Sequence, residues 1–132
     1  MDKRKILVVE DSGVMRSIIV DIVKCEESFD VVGESVDGID ALEKTKELNP
    51  DVILLDLEMP RMGGLEFMKR ARLLTSAKII VVSSIVQDAN STYLQAKELG
   101  AFDIISKPSG ALSLNLKEKK GHEIIQAIKK CF

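Results

Sequence analysis

Several residue types that carry familiar chemistry are scarce in this chain of 132 residues, which has no tryptophan, one histidine and two cysteines. Cys25 and Cys131 lie far apart with no Cys-x-x-Cys pair, and His122 cannot complete a zinc site with them at any familiar spacing. The glycine motifs of serine hydrolases, P-loops and dinucleotide-binding folds are also missing. We therefore expect two reduced thiols and chemistry that does not depend on a serine, cysteine or histidine nucleophile.

The chain also lacks a long apolar run. Its longest runs, such as residues 52–55 and 79–82, are only a handful of residues, whereas a membrane-spanning helix needs roughly 20. The basic stretch 1–5 leads into a strand-like segment, without the apolar region and cleavage site of a secretion signal. These features predict a cytoplasmic protein that does not associate with membranes.

Charge of one sign is not in excess either. The formal net charge is -2, and the 19 basic residues are scattered rather than concentrated on one predicted element. A protein that binds nucleic acid directly normally carries a concentrated basic surface. We expect no nucleic-acid binding. The hydrophobic content of 45% is enough for one compact domain with its own core.

Two hydrophobic periodicities alternate along the whole chain. Short β-branched apolar runs predict strands at residues 6–9, 31–34, 52–55, 78–82 and 102–105. Apolar residues at helical spacing predict helices at about residues 13–24, 38–48, 64–74, 88–99 and 116–130. This alternation is typical of an α/β fold, a doubly wound five-stranded parallel sheet with helices on both faces. Right-handed crossovers favour the flavodoxin-like strand order 2-1-3-4-5.

Polar residues follow the central strands of this predicted sheet. Glu10 and Asp11 follow the first strand, Asp56 the third, Ser83 the fourth and Lys107 the fifth. In open sheets of this type, ligands bind outside the carboxyl ends of the strands. If the first and third strands are neighbours, the three carboxylates converge. Two such charges about 4 Å apart repel by roughly 4 kcal/mol at an intermediate effective dielectric constant.

A cation is needed to relieve that repulsion. Mg²⁺ suits the residue set, since it binds through one or two carboxylates, keeps several waters and couples to a phosphate. Lys107 supplies a second, fixed positive charge. A carboxylate nucleophile, a metal ion, a hydroxyl and an ammonium group together are what phosphoryl transfer to Asp56 requires.

With these residues in this order, the chain resembles the receiver domains of two-component signalling over about residues 5–130. The resemblance implies that a histidine kinase phosphorylates Asp56, that Ser83 and Lys107 contact the phosphoryl group, and that phosphorylation changes the shape of the domain. It also implies a cis peptide between Lys107 and Pro108. Ser84 remains an alternative to Ser83 as the source of the hydroxyl.

The same resemblance implies a ligand set for Mg²⁺. Asp11 and Asp56 would bind the ion directly, Glu58 would contribute its backbone carbonyl, and Glu10 would act through water. Taken singly, Glu10 or Asp11 could equally be a solvated residue near a helix N-terminus. The combination with Asp56 and Lys107 favours a functional site.

A closer resemblance rests on residues 55–62, 82–84, 100–103 and 107–110, which are similar to the regulatory half of chemotaxis protein-glutamate methylesterases. It implies a receiver core at residues 1–108. Residues 109–132 would form a connection and a C-terminal helix that complete the domain and lead to a linker and an effector. In those methylesterases the effector is a hydrolase domain. This chain does not contain it, so any esterase activity would belong to a longer parent protein.

Two positions depart from the usual receiver pattern. Gly63 stands where an aspartate normally caps the following helix, so this cap is expected to be lost. Ile104 stands three residues before Lys107, where signalling receivers commonly have an aromatic switch side chain. Phe102 is nearby, but it would need a different geometry to take that role. The surface expected to change is near strands four and five, including residues 88–99.

Other functional classes remain open from the sequence. The chain would act as a stand-alone response regulator if its effector is a separate partner. An aspartate-nucleophile phosphatase of the haloacid dehalogenase type also uses Asp, Lys and Mg²⁺, but it needs Asp-x-Asp, which Glu58 only half satisfies. It would also need a cap domain, for which the chain has no room. A flavodoxin-like cofactor binder would share the fold, yet an acidic pocket would repel a flavin phosphate.

Overall fold

The computed structural model describes residues 3–84, 91–107 and 116–132. Within these residues, five strands alternate with five helices. The strands are β1 (Arg4–Val9), β2 (Phe29–Ser35), β3 (Val52–Leu55), β4 (Lys78–Ser83) and β5 (Asp103–Ser106). The helices are α1 (Gly13–Lys24), α2 (Gly38–Leu48), α3 (Gly64–Ala71), α4 (Ser91–Glu98) and α5 (Leu116–Lys130).

The strands form one parallel sheet in the order β2-β1-β3-β4-β5. This confirms the predicted α/β fold and strand order. At the carboxyl edge of the sheet, Val9 of β1 pairs with Leu55 of β3, and Ser83 of β4 pairs with Ser106 of β5. The residues that follow β1, β3, β4 and β5 therefore meet along one edge.

Apolar side chains fill both faces of the sheet. Along β1, Ile6 and Val8 pack with residues of α1 and α5, whereas Leu7 and Val9 pack with residues of α2, α3 and α4. All four side chains are at most 1% exposed. Burying an aliphatic side chain of this size stabilises a fold by about 1.5–3 kcal/mol. The alternation of β1 therefore anchors helices on both faces and fixes the edge where the site lies.

Most element bounds agree with the sequence prediction, and α3 is the main exception. The predicted helix runs to residue 74, but α3 ends at Ala71. The amides of Leu73 and Leu74 donate to carbonyls only three residues back, on Arg70 and Ala71. Leu73 is 84% exposed, so it is not a core residue despite its apolar side chain. The first residues of the predicted helix 88–99 lie outside the described part.

The helices are amphipathic or short. Across residues 3–84, 91–107 and 116–132, none combines the length and apolar character needed to cross a membrane.

Candidate functional site

Three carboxylates meet at the carboxyl edge of the sheet. Ligand oxygens of Glu10, Asp11 and Asp56 lie within 4.8 Å of one another. The arrangement follows from the pairing of β1 with β3, which continues past the strands as a hydrogen bond of 3.0 Å from the Asp56 amide to the Val9 carbonyl. Glu10 and Asp56 are buried, at 1% and 7% exposed, whereas Asp11 is exposed. The cluster is thus open to solvent on the Asp11 side.

Lys107 brings a positive charge to the buried part of this cluster. Its Nζ forms an ion pair with Glu10 Oε1 and lies 3.7 Å from Asp56 Oδ2. The side chain is only 8% exposed. The Lys107 amide also donates to the Ser83 carbonyl at 2.8 Å, which ties the end of β5 to the end of β4. One ammonium group therefore faces two buried carboxylates.

The pKa of Glu10 reflects both the burial of its carboxyl group and the charges around it. Burial is the largest influence and raises the pKa of Glu10 to about 7. The hydrogen bond from Lys107 lowers this pKa, whereas the charge of Asp56 raises it further. Three carboxylates with one ammonium group also leave an excess of negative charge at this edge. An all-oxygen donor set that is short of positive charge fits a hard divalent cation such as Mg²⁺ or Ca²⁺. The residues present therefore fit a metal ion of this class.

A buried hydroxyl lies at the end of β4. Ser83 is 2% exposed, and its Oγ is one of two buried side-chain hydroxyls without a hydrogen-bond partner among the described residues. An unsatisfied buried polar group costs about 1–3 kcal/mol. A ligand oxygen bound at this edge would give it a partner. Ser84, the sequence alternative, is exposed, so burial favours Ser83.

The segment that leads from β3 to α3, residues 56–63, is called the β3–α3 loop below. The Glu58 amide donates to Asp56 Oδ1 at 3.4 Å, while the Glu58 side chain is exposed and is not part of the carboxylate cluster. A haloacid dehalogenase-type phosphatase would need a second acid at that position facing the site. The observed placement does not provide one.

Close packing holds the far end of this loop. The Gly64 amide donates to the Leu57 carbonyl at 3.0 Å. A Cβ atom on Gly64 would lie 2.6 Å from Leu57 Cα and 2.7 Å from the Asp56 carbonyl oxygen. Only glycine fits there. Gly63 is the N-cap residue of α3, and it makes no side-chain cap hydrogen bond, as its lack of a side chain requires.

Sequence reasoning missed two interactions, the pair of Arg61 with Asp37 and the contact of Arg16 with Glu10. Arg61 Nε donates to Asp37 Oδ2 at 2.8 Å, and Asp37 Oδ1 accepts the Asp40 amide at 2.9 Å as the cap of α2. The Asp40 amide, together with Arg61, holds the pKa of the Asp37 carboxyl below its usual range. Arg16 Nη1 donates to the Glu10 carbonyl at 2.9 Å. The cap has a local signal in Asp37-Gly38 before a helical pattern, but the long-range pairings have none.

The candidate switch positions are Ile104, within β5, and Phe102, directly before β5. Ile104 is partly buried against the apolar cluster on the α4 face. Phe102 is 39% exposed, and its ring centroid is 6.0 Å from Lys78 Nζ. Phe102 is therefore a surface residue rather than a ring near the site. The cis peptide expected at Lys107-Pro108 involves Pro108, which lies outside the described residues.

The fold and these residues define a class of protein. The chain matches the family model of the response regulator receiver domain over residues 6–117. The protein belongs to the response regulator receiver domain family. Within that family it is similar to the protein-glutamate methylesterase/protein-glutamine glutaminase of Pyrococcus horikoshii, with 42% identity over 127 residues. That alignment covers 96% of this chain and 34% of the relative, so the chain spans about a third of the curated relatives it matches.

Solved structures agree with this placement. The response regulator domain of Thermotoga maritima CheB has a TM-score of 0.91 and 36% identity, with 98% of this chain and 96% of that chain covered. One chain of the complex between the P1 domain of CheA3 and CheY6 from R. sphaeroides has a TM-score of 0.78 and 35% identity, with coverage of 99% and 98%. The protein is thus a receiver domain of the kind found in CheB-like methylesterases, close to CheY-type proteins.

Proposed function

We propose that this domain accepts a phosphoryl group on Asp56 from a phosphorylated histidine of a kinase. The observation that carries the proposal is the convergence of Glu10, Asp11 and Asp56 within 4.8 Å, with the ammonium group of Lys107 against Glu10 and Asp56. Mg²⁺ would be held directly by Asp11 and Asp56, by the backbone carbonyl of Glu58, and by Glu10 through water. When bound, the ion would supply positive charge that offsets the incoming phosphoryl oxygens.

The remaining chemistry belongs to the chain's own residues. An oxygen of the Asp56 carboxylate attacks phosphorus, a phosphorus–oxygen bond forms, and the bond from phosphorus to the donor imidazole breaks. The imidazole nitrogen keeps that electron pair and is protonated. Lys107 and Ser83 would each bind a phosphoryl oxygen, which gives the buried Ser83 hydroxyl a partner. Arrival of the phosphoryl group would also draw Lys107 away from Glu10.

The direct test is incubation with a small phosphodonor and Mg²⁺, followed by intact-mass measurement. We expect a gain of one phosphoryl group that is lost in Asp56→Asn, because the amide is not a comparable nucleophile. No gain in the unaltered protein, or the same gain in Asp56→Asn, would refute the assignment. Omission of Mg²⁺ with added chelator should abolish the gain and tests the metal assignment separately.

The output we propose is regulation of a protein-glutamate methylesterase. The support is the similarity to proteins of that name, which are about three times as long as this chain. Residues 1–108 would be the receiver core, and residues 109–132 would complete the domain and connect it to a tethered effector. The kinase partner would present a P1-like domain, as in the R. sphaeroides complex. We also propose a cytoplasmic location, with neither nucleic acid nor membrane as a partner.

The alternative output is that of a stand-alone response regulator, which the likeness to a CheY-containing complex supports. The native coding sequence distinguishes the two outputs. Continuation past Phe132 into a hydrolase domain, with esterase activity that rises on phosphorylation, is the expected result. A stop codon directly after Phe132 would instead favour action on a separate partner.

A further inference from the structure

The β3–α3 loop is joined to the start of α2 as well as to α3. Arg61 Nε contacts Asp37 Oδ2 at 2.8 Å, and the Gly38 amide donates to the Met62 carbonyl at 2.9 Å. Asp37 is nearly buried, at 4% exposed. A carboxylate that is both buried and used to cap α2 has little freedom to move. The Asp37–Arg61 pair therefore fixes the loop to a rigid element.

The backbone at Arg61 indicates that the loop is constrained. Its φ is 65°, in the left-handed region that residues with a side chain seldom adopt. The following amide, Met62 N–H, donates to the Pro60 carbonyl at 2.7 Å and closes a tight turn. Such a conformation persists where the surroundings compensate for it. The contacts made by Arg61 and Met62 with α2 provide that compensation.

The β3–α3 loop packs closely against the start of α2. A Cβ atom on Gly38 would lie 2.6 Å from the Met62 carbonyl oxygen and 2.7 Å from Met62 Cγ. At the start of the loop, the backbone of residues 56 and 57 is packed equally closely on Gly64. Glu58 lies between these two attachments. Its position relative to Asp56 therefore depends on both.

We propose that Arg61, through its pair with Asp37, is a positioning residue for the metal site. It holds the β3–α3 loop so that the Glu58 carbonyl and the Asp56 carboxylate are presented together to the ion. This inference rests on the proposed function, because it assumes that Mg²⁺ binds at these residues. Arg61 itself does not touch the ion or the phosphoryl group.

The charge of Arg61 and its proposed positioning role predict opposite effects of its removal on Mg²⁺ affinity. Removal of a positive charge near an acidic site favours cation binding by simple electrostatics. Loss of a group that orients metal ligands weakens it, typically by about 10-fold to 100-fold. Arg61→Ala keeps a Cβ atom and so does not change the backbone preference at φ 65°. Whether Arg61→Ala raises or lowers the Mg²⁺ affinity therefore distinguishes a charge effect from a positioning role.

The experiment is calorimetric titration of the metal-free protein with Mg²⁺. For Arg61→Ala we expect a dissociation constant raised by about tenfold. Arg70→Ala is the matched control, because Arg70 Nε contacts Glu66 Oε2 at the same 2.8 Å and the two arginine side chains are 60% and 59% exposed. Arg70 is on α3 and does not hold the loop. Its replacement should leave the dissociation constant unchanged.

A second variant tests the pair rather than the arginine alone. Asp37→Asn keeps the acceptor that caps α2 and removes the charge that Arg61 contacts. If the two act as a unit, Arg61→Ala should cause little further loss in an Asp37→Asn background. Amide hydrogen exchange of Gly38 in the metal-free protein gives an independent readout. Protection of that amide should fall in Arg61→Ala and not in Arg70→Ala.

The outcomes separate this inference from the proposed function. If the unaltered protein does not bind Mg²⁺, the proposed function fails and the inference fails with it. If the unaltered protein binds Mg²⁺ and Arg61→Ala binds it equally or more tightly, only the positioning role is refuted. Should Arg61→Ala not fold, Arg61→Lys is measured instead. It preserves the charge, so any loss of affinity must come from the lost guanidinium geometry, and an unchanged affinity would refute the role.

Discussion

The metal-free domain should become less stable as the pH rises, and Glu10 should account for this. The pKa of Glu10 is raised from its ordinary value of 4.5 to about 7 in the folded protein, first because of burial. A raised pKa means that the folded state binds the proton more tightly than the unfolded state does. The contribution of the neutral carboxyl to stability is therefore complete below pH 4.5 and is lost as the pH rises through about 7.

The size of the effect follows from the two pKa values. Each pKa unit corresponds to about 1.36 kcal/mol, so a change from 4.5 to about 7 corresponds to about 3 kcal/mol. Glu10→Gln mimics the neutral carboxyl at every pH. It should match the unaltered protein at about pH 4 and exceed its free energy of unfolding by about 2–3 kcal/mol at about pH 8.

The assay is urea unfolding followed by circular dichroism, since the chain has no tryptophan to report fluorescence. Both proteins are measured with a chelator across this pH range. The comparison between them cancels the other carboxyl groups that titrate in acid. A stability difference that stays constant with pH would refute the reasoning. Added Mg²⁺ should raise the stability of the unaltered protein at high pH, because the ion stabilises the ionised cluster.

Three further predictions follow from the packing. Gly64→Ala should lower the free energy of unfolding by about 1–3 kcal/mol, because its methyl group would meet the backbone of Leu57; thermal unfolding checks this. Ser83→Ala should leave stability unchanged or slightly raised, since its hydroxyl has no hydrogen-bond partner within residues 3–84, 91–107 and 116–132, while the rate of phosphorylation falls. Asp37→Ala should lower the free energy of unfolding by about 1 kcal/mol, because the cap of α2 is lost. Part of this difference should vanish in acid. The pKa of Asp37 is lowered in the folded protein, so the stability that depends on its charge is lost as the pH falls.

The sheet and its order could be predicted because local and topological rules agree. The four residues of β3, Val52–Leu55, are all buried, and a continuous apolar run is the signal of an interior parallel strand. The crossover rule then leaves few orders to consider. The meeting of Glu10 and Asp56 needs only these two facts, since both residues directly follow neighbouring strands.

The predictions that failed or were missed depend on contacts that local sequence does not encode. Leu73 and Leu74 continue the helical apolar pattern of α3, yet the chain turns after Ala71 and leaves Leu73 in solvent. Arg61 pairs with Asp37 across 24 residues. No spacing rule indicates this, because it arises where the start of α2 meets the β3–α3 loop. Helical periodicity reports a face of one element and not its neighbours.

The ion pair between Lys107 and Glu10 joins residues that are 97 positions apart. The candidate site is therefore assembled from the ends of four strands, and Lys107 is synthesised well after the carboxylates. A nascent chain that has formed β1 and β3 would already carry the carboxylates but not the lysine. Long-range contacts of this kind form late and slow the folding of parallel sheets. Only the fully formed sheet would thus accept a phosphoryl group by the proposed mechanism. A partly translated or misfolded domain would not be phosphorylated.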